Sequence, residues 1–192
     1  SIVYSLSGLN NVTGVKIYYQ DRNGNYTDAP LYRVNLTKPL TTKEFPDKLG
    51  RKIKIYFAND NATHLIADYR AMSRENVQIA KTIIDELILG PRKDTGQKGV
   101  IPTDISKGDI RVWMDQSNTR VMVDLPAKLD GNKMGSAGAL MTLYAIVNSL
   151  TDPVNTPNVE EVQFLMDGKI VKTFGNLEFS EPFIRNPAII QE

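Results

Sequence analysis

AIVNSL at residues 145–150, a polar break, then NVEEVQFLMDGKIVKTFGNLEFSEPF at residues 158–183 decide how this chain reads. An apolar helical run is followed by a strand, an Asp-Gly turn and a returning arm. The chain opens on a worn copy of the same succession: SIVYSL, then NNVTGVKIYYQDRNGNY, then LYRVNLTKPL, within residues 1–40. Ile146, Val147 and Leu150 match Ile2, Val3 and Leu6. Asn158, Val159 and Val162 match Asn11, Val12 and Val15. Leu177, Phe179, Pro182 and Phe183 match Val34, Leu36, Pro39 and Leu40. A repeat with so long a period indicates a duplicated domain rather than a solenoid.

The division that follows is a partial first copy at 1–40, a polar linker at 41–50 (TTKEFPDKLG), a complete copy at 51–184 and a loose tail at 185–192. Forty residues holding a helix end and a hairpin leave most of their apolar surface wet. The first copy is therefore expected to be held by something outside itself.

Within the first copy, residues 15–19 (VKIYY) read as a strand, DRNGN at 21–25 as an Asn-Gly hairpin turn and residues 31–36 as the second strand. In the complete copy, residues 51–58 (RKIKIYFA) alternate. Ile53, Ile55 and Phe57 take one face, and Lys52, Lys54 and Tyr56 the other. Residues 65–72 form a second extended piece. A helix is expected from the Ser73 N-cap to Leu89, with Val77, Ala80, Ile84, Leu87 and Ile88 as its apolar stripe and Gly90-Pro91 as its stop. After a charged loop at 92–98, IRVWMD (110–115) and TRVMVDL (119–125) read as a hairpin with Val112, Val121 and Val123 inward. GNKMGSAG (131–138) leads as a loop into a second helix at 137–150, capped by Ser136, with Leu140, Leu143, Tyr144, Val147 and Leu150 inward. Residues 159–166 form a strand, Asp167-Gly168 a two-residue turn, residues 169–172 the antiparallel return and residues 177–179 a last strand piece. Two amphipathic helices need an apolar sheet face to cover. The expected fold is α+β, with both helices on one face of a mixed or antiparallel sheet.

Composition narrows the function classes. The 192 residues are 41% hydrophobic and 23% charged, with a formal net charge of +1 and no long run of one sign. That argues against an electrostatic nucleic-acid binder, which clusters its basic residues. The chain has no cysteine, hence no disulfide, thiolate zinc site or cysteine nucleophile. It contains neither an apolar run of about 18 residues nor a signal sequence.

The residues that could carry chemistry read as structural. His64, the sole histidine, sits in the polar turn NDNATHL and reads as a surface residue. No HExxH spacing surrounds it. The adjacent carboxylates Asp85 and Glu86, Glu160 and Glu161, and the pair Glu178 and Glu181, read as solvated faces rather than two carboxyls across a cleft. Asp124, in VMVDL, is either a ligand-binding carboxylate or a structural residue, facing out on period-2 alternation or capping the following turn; the structural reading is preferred. GNKMGSAG lacks the GK[ST] ending of a phosphate loop. Trp113 reads as packed in or half into the core, with an exposed partner anchor as the other possibility. No catalytic, cofactor-binding or metal residue is assigned, and no cofactor is expected.

The chain resembles the GerMN domain family of sporulation and spore germination proteins. Residues 53–183 carry the likeness: IKIYF at 53–57, ELILGP at 86–91, VMVDL at 121–125, GSAGALMTLYAIVNSLT at 135–151, VEEVQFLMDGK at 159–169 and LEFSEPF at 177–183. Proteins of this type carry two such domains in tandem, which agrees with the repeat. The resemblance implies a non-enzymatic protein, needed for sporulation and germination and similar in fold to ring-building modules of secretion systems. It further implies an extracytoplasmic lipoprotein, anchored to the membrane through a lipid group upstream of this sequence. Partners would be other proteins of an envelope complex around the forespore, with homo-oligomers possible and no nucleic acid involved. The competing expectation is a protein that binds or modifies the peptidoglycan of the spore cortex.

Overall fold

The computed structural model describes residues 15–21, 23–28, 37–39, 51–72, 78–93 and 95–191. The chain divides into two compact units, Ser1–Arg51 with Ala71–Glu75, and Lys52–Arg70 with Asn76–Glu192. In the first, β1 (Tyr19–Gln20) and β2 (Tyr26–Thr27) pair antiparallel. The turn between them follows from its residues. Asp21 Oδ1 accepts from the N–H groups of Asn23 and Asn25, both at 2.9 Å, and Gly24 takes φ 83°. The expected linker at 41–50, Ser73 and the strand at 31–36 lie outside the described residues.

The strands β3 (Arg51–Asn59) and β4 (Leu65–Met72), joined by the turn at 60–64, belong to the second unit except for Arg51, Ala71 and Met72. Next come α1 (Ile79–Leu89), β5 (Gln97–Lys98), β6 (Arg111–Met114) and β7 (Arg120–Leu125). The long α2 (Gly131–Leu150) leads to β8 (Glu161–Met166). Short pieces complete the chain: β9 (Thr173–Phe174), β10 (Leu177–Glu178), β11 (Phe183–Ile184), a 3-10 turn (Pro187–Ile189) and β12 (Ile190–Gln191). The architecture is α+β. Among the described residues the strands divide between two mixed four-stranded sheets, ordered β11-β8-β7-β6 and β12-β4-β3-β5, with β9 and β10 as a separate ribbon. None of the described helices is long and apolar enough to cross a membrane.

In the first sheet, β7 and β8 run parallel with Val121 opposite Val162 and Val123 opposite Phe164, all four fully buried. The two helices pack on each other; α1 lies against β6, and α2 against β8 and the β9–β11 arm. The repeated LEFSEPF motif has a packing reason. Phe179 stacks on Phe164 at 5.3 Å and on Phe174 at 5.4 Å, while Phe183 meets Phe164 edge-on at 5.4 Å and Tyr144 at 5.8 Å. Each such aromatic pair adds about 0.5–1.5 kcal/mol to its area burial. For α1, Gly90 supplies the expected stop: it takes φ 81° and donates its N–H to Glu86 O and Leu87 O. The buried residues of α1 are Ile83, Ile84 and Leu87; Ile88 and Ala80 are only half-buried.

Several expectations need correction. Residues 131–134 are helical, not a loop. Asp130, rather than Ser136, caps α2 by accepting from Asn132 N–H at 2.9 Å, and the kink lies at Gly135, with φ 70° and ψ 165°. Gly131 is small for a reason: a Cβ there would lie 2.5 Å from Gly175 N and 2.8 Å from the Phe174 carbonyl carbon. Beyond the kink α2 is a central helix, buried at every position from 145 to 150, while the expected core residues Leu140 and Tyr144 are half-buried. The Asp167-Gly168 turn forms with φ 47° and 79°, both positive, as a two-residue hairpin turn requires. Its return arm does not become a strand: pairing stops at the Met166–Lys169 bridge. The charged loop at 92–98 contains β5. The tail at 185–192 is not loose, since Ile190 and Gln191 pair parallel with Leu65 and Ile66 and close the edge of the second sheet.

Candidate functional site

The last turn of α2 and the stretch after it, NSLTDPVNT at 148–156, include the polar break that follows AIVNSL in the sequence. In the fold most of its polar residues are buried. Asn148, Ser149, Thr151, Asp152 and Asn155 are all within the core. Burial of so many polar groups requires partners, and the partners lie on β3. Only residues 58–59 of β3 pair with β5. Farther back, side chains substitute for a neighbouring strand. Asn155 Oδ1 accepts from Lys54 N–H at 2.8 Å, Asn155 Nδ2 donates to Lys54 O at 2.6 Å, and Ser149 Oγ accepts from Tyr56 N–H at 3.0 Å.

Asp152 is the centre of this cluster, its side chain 3% exposed. It accepts from the Tyr56 hydroxyl at 2.7 Å and from Val154 N–H at 3.0 Å. It also pairs with Arg185 at 3.0 Å and, more loosely, with Lys54 at 3.8 Å. Burial pushes its carboxyl upward. The hydrogen bonds from Tyr56 and Val154, with the charges of Arg185 and Lys54, outweigh that and hold it below the usual carboxylate range. Burial, and then the bond to Asp152, raise the Tyr56 hydroxyl. The hydrogen bond to Tyr56 raises Lys54, against its own desolvation.

Arg185 lies over the Tyr56 ring, 5.5 Å from its centroid, and donates to Asn148 O at 3.0 Å and Tyr56 Oη at 2.8 Å. Asn148 adds a second tie to this segment, accepting Asn186 N–H at 2.8 Å and donating to Asn186 O at 2.9 Å. Alternation assigned Tyr56 to the outer face of β3; it is nonetheless fully buried, because the C-terminal segment covers that face. Above the cluster opens a cavity of about 420 Å³, walled by Lys54, Arg185, Tyr69 and the apolar Ile66, Pro187 and Ile190. Sequence reasoning missed this cluster. Its one available signal was a dense polar run directly after the apolar stretch at 145–147.

A second ion-pair group lies at the base of α1. Arg70 Nε donates to the buried Asp68 at 2.8 Å, while its Nη atoms reach Glu86 at 3.2 Å and Gly90 O at 2.9 Å. Arg92 stands 3.6 Å from Asp68.

The residues singled out in the sequence do not converge. His64 is exposed in the β3–β4 turn, its Nδ1 3.0 Å from Thr63 Oγ1. Asp85 pairs with Lys81 at 2.7 Å and Glu86 with Arg70, while Glu161 accepts from Arg120 Nε at 2.6 Å. Glu160, Glu178 and Glu181 are exposed on other elements. Among the described residues, no three His, Asp or Glu side chains gather as metal ligands. Asp124 is 2% exposed, which corrects the outward half of its structural reading. Its carboxylate pairs with Arg111 and accepts Gly168 N–H at 2.8 Å, so it fastens the β6–β7 hairpin to the turn after β8. Trp113 departs from the packed reading. It is 44% exposed on β6, an edge strand. Beside it lies a cavity of about 560 Å³, bounded by Gln78, Ile79 and Lys81 of the α1 start and by Val112 and Met114.

The comparisons with known proteins follow the fold. The family model for Germane, described as "Sporulation and spore germination", matches residues 54–172. No curated protein sequence matches the chain. The structure is similar to the tandem GerMN domains of the sporulation protein GerM from Bacillus subtilis, with a TM-score of 0.56 and 17% identity. That match covers 100% of this chain and 68% of that one. It is also similar to the first GerMN domain of the same protein, with a TM-score of 0.54 and 12% identity, over 71% of this chain and 98% of that one.

Proposed function

Because the chain belongs to the Germane family of sporulation and spore germination proteins, we propose that it is a non-enzymatic assembly module. In this reading it acts through protein–protein contacts in an envelope-associated complex around the forespore. The observation that carries the proposal is Trp113. A large aromatic residue, 44% exposed, lies on β6, an edge strand of its sheet among the described residues, next to a cavity of about 560 Å³. Tryptophan is enriched among residues that anchor interfaces, and an edge strand offers backbone groups to a partner. The ion pairing of Asp85, Glu86 and Glu161 supports the same view, because those carboxylates serve structure. A catalytic pair would instead face across a cleft.

The test compares wild-type and Trp113→Ala proteins, each tagged and expressed at native level in sporulating cells. The wild type is expected to co-purify with envelope proteins, and Trp113→Ala to lose them while keeping its thermal midpoint. Equal recovery by the two proteins would sink the assignment of this surface. A wild type that is monomeric by light scattering and recovers no partner would sink the assembly reading itself. We further place the protein outside the cytoplasm and lipid-anchored, which membrane fractionation of the same cells tests.

A further inference from the structure

The cavity above Asp152 lies away from Trp113 in its lining residues and calls for a separate reading. Its charged wall is not balanced. Asp152 brings one negative charge and Lys54 and Arg185 bring two positive charges, so the wall carries one net positive charge. The carboxylate is also occupied from within. Oδ2 accepts from Tyr56 and pairs with Arg185, and Oδ1 accepts from Val154. Lys54 stands at 3.8 Å, beyond hydrogen-bond distance of that carboxylate, with 23% of its side chain still reaching solvent. An ammonium has three donors and no acceptor. Opposite these cations the wall is apolar, from Ile66, Pro187 and Ile190, and at the rim Tyr69 is 50% exposed. A volume of about 420 Å³ falls within the range of small-molecule sites, roughly 300–1,000 Å³.

We propose that this cavity binds a small amphipathic carboxylate, its anionic head on Lys54 and Arg185 and its apolar body against Ile66, Pro187 and Ile190. The base of the site is pre-organised, because Asp152, Tyr56 and Asn148 fix the Arg185 guanidinium before a ligand arrives. The ligand's carboxylate then forms charge-assisted hydrogen bonds without ordering a loop. The chemistry is shared by a free organic acid and by the C-terminal end of a peptide. This proposal is independent of the assembly reading.

The experiment titrates the ¹⁵N-labelled chain, followed by amide chemical shifts, with 4-phenylbutyrate, acetyl-Gly-Phe and acetyl-Gly-Phe-amide. Both acids are expected to shift the amides of Tyr56, Tyr69 and Ile190 saturably, and the amide to leave them in place. Tighter binding of acetyl-Gly-Phe than of phenylbutyrate identifies a peptide end as the source; the reverse identifies a free acid. Lys54→Gln is expected to weaken binding about tenfold, the scale of one hydrogen bond to a charged group, and Lys54→Arg to restore it. Ala67→Phe, which fills the lining from β4, is expected to abolish binding with both cations retained; the spectrum of each variant reports its folding directly. Equal shifts from acid and amide, no shift from either acid at millimolar concentration, or unchanged binding in Lys54→Gln and Ala67→Phe overturns the proposal.

Discussion

Asp152 shows how much depends on one buried carboxylate. Replacing it with Asn keeps the shape but leaves Arg185 and Lys54 without their counter-charge. Loss of one partner from a buried pair costs about 3–5 kcal/mol; because both cations reach solvent, a loss of about 2–3 kcal/mol is expected in urea unfolding. The pH dependence has a definite sign. Asp152 is held below its unfolded value, which lies near 3.9. Its contribution is therefore present above that value and is lost as pH falls through the lowered native value. The stability gap between wild type and Asp152→Asn should narrow below about pH 4. Asp28, Asp109 and Asp115, held low chiefly by hydrogen bonds to Lys16, Lys128 and Ser117, act in the same direction. Only the difference between the two proteins isolates Asp152. A gap that stays constant from pH 7 to pH 2.5 would contradict the assignment.

Elements are held to one another by close approaches and by side chains that stand in for backbone. The start of α2 touches the β9–β10 turn through Gly131 and Gly175, with no room for a methyl group between them. Gly131→Ala forces backbone atoms apart and is expected to destabilise the protein by about 1–3 kcal/mol despite the better helix propensity of alanine. A thermal midpoint that rises instead would show that the approach relaxes freely. Asn155 performs the complementary task on β3, giving Lys54 N–H and C=O the partners that another strand would supply. Asn155→Ala leaves both groups unpaired and is expected to cost about 2–3 kcal/mol. Hydrogen exchange should locate the damage, with faster exchange at Lys54 and Tyr56 than on β7.

On the scale of the whole chain, the second unit is closed by its last residues. The stretch at 185–191 covers the outer face of β3, pairs with β4 and completes the Asp152 cluster. Deleting residues 185–192 should lower the unfolding free energy measured in urea by more than any of the single substitutions above, about 3 kcal/mol or beyond, because it uncovers Tyr56 and leaves Asp152 with its weaker cation alone. A deletion with a wild-type midpoint would return this segment to the status of a loose tail. Trp113, by contrast, should tolerate alanine, since surface positions shift stability by about 0.5 kcal/mol or less. Its value lies in what it presents to other proteins.

Local pattern was enough for the α+β class, the β6–β7 hairpin, the Gly90 stop and the Asp167-Gly168 turn. Each rests on residues near one another in the chain, where propensity, periodicity and left-handed glycine decide the outcome. The same alternation that correctly turned Ile53, Ile55 and Phe57 inward misplaced Tyr56 and Asp124, because period-2 reasoning assumes that one face of a sheet meets water. Here both faces are covered at those positions, by Arg185 in one case and by the Arg111 and Gly168 contacts in the other. The helical reading likewise stopped short at GNKMGSAG, where an Asp130 cap and a tight seat on Gly175 outweigh the glycines. The opening stretch at 145–183 was legible as helix, strand and turn. The use of its polar residues was not: Asp152 and Asn155 find partners on Tyr56 and Lys54, about a hundred residues earlier, while Asn148 and Asp152 meet Arg185 farther along the chain. Contacts of that separation leave no periodic trace in a sequence, and only the closed tertiary structure decides them.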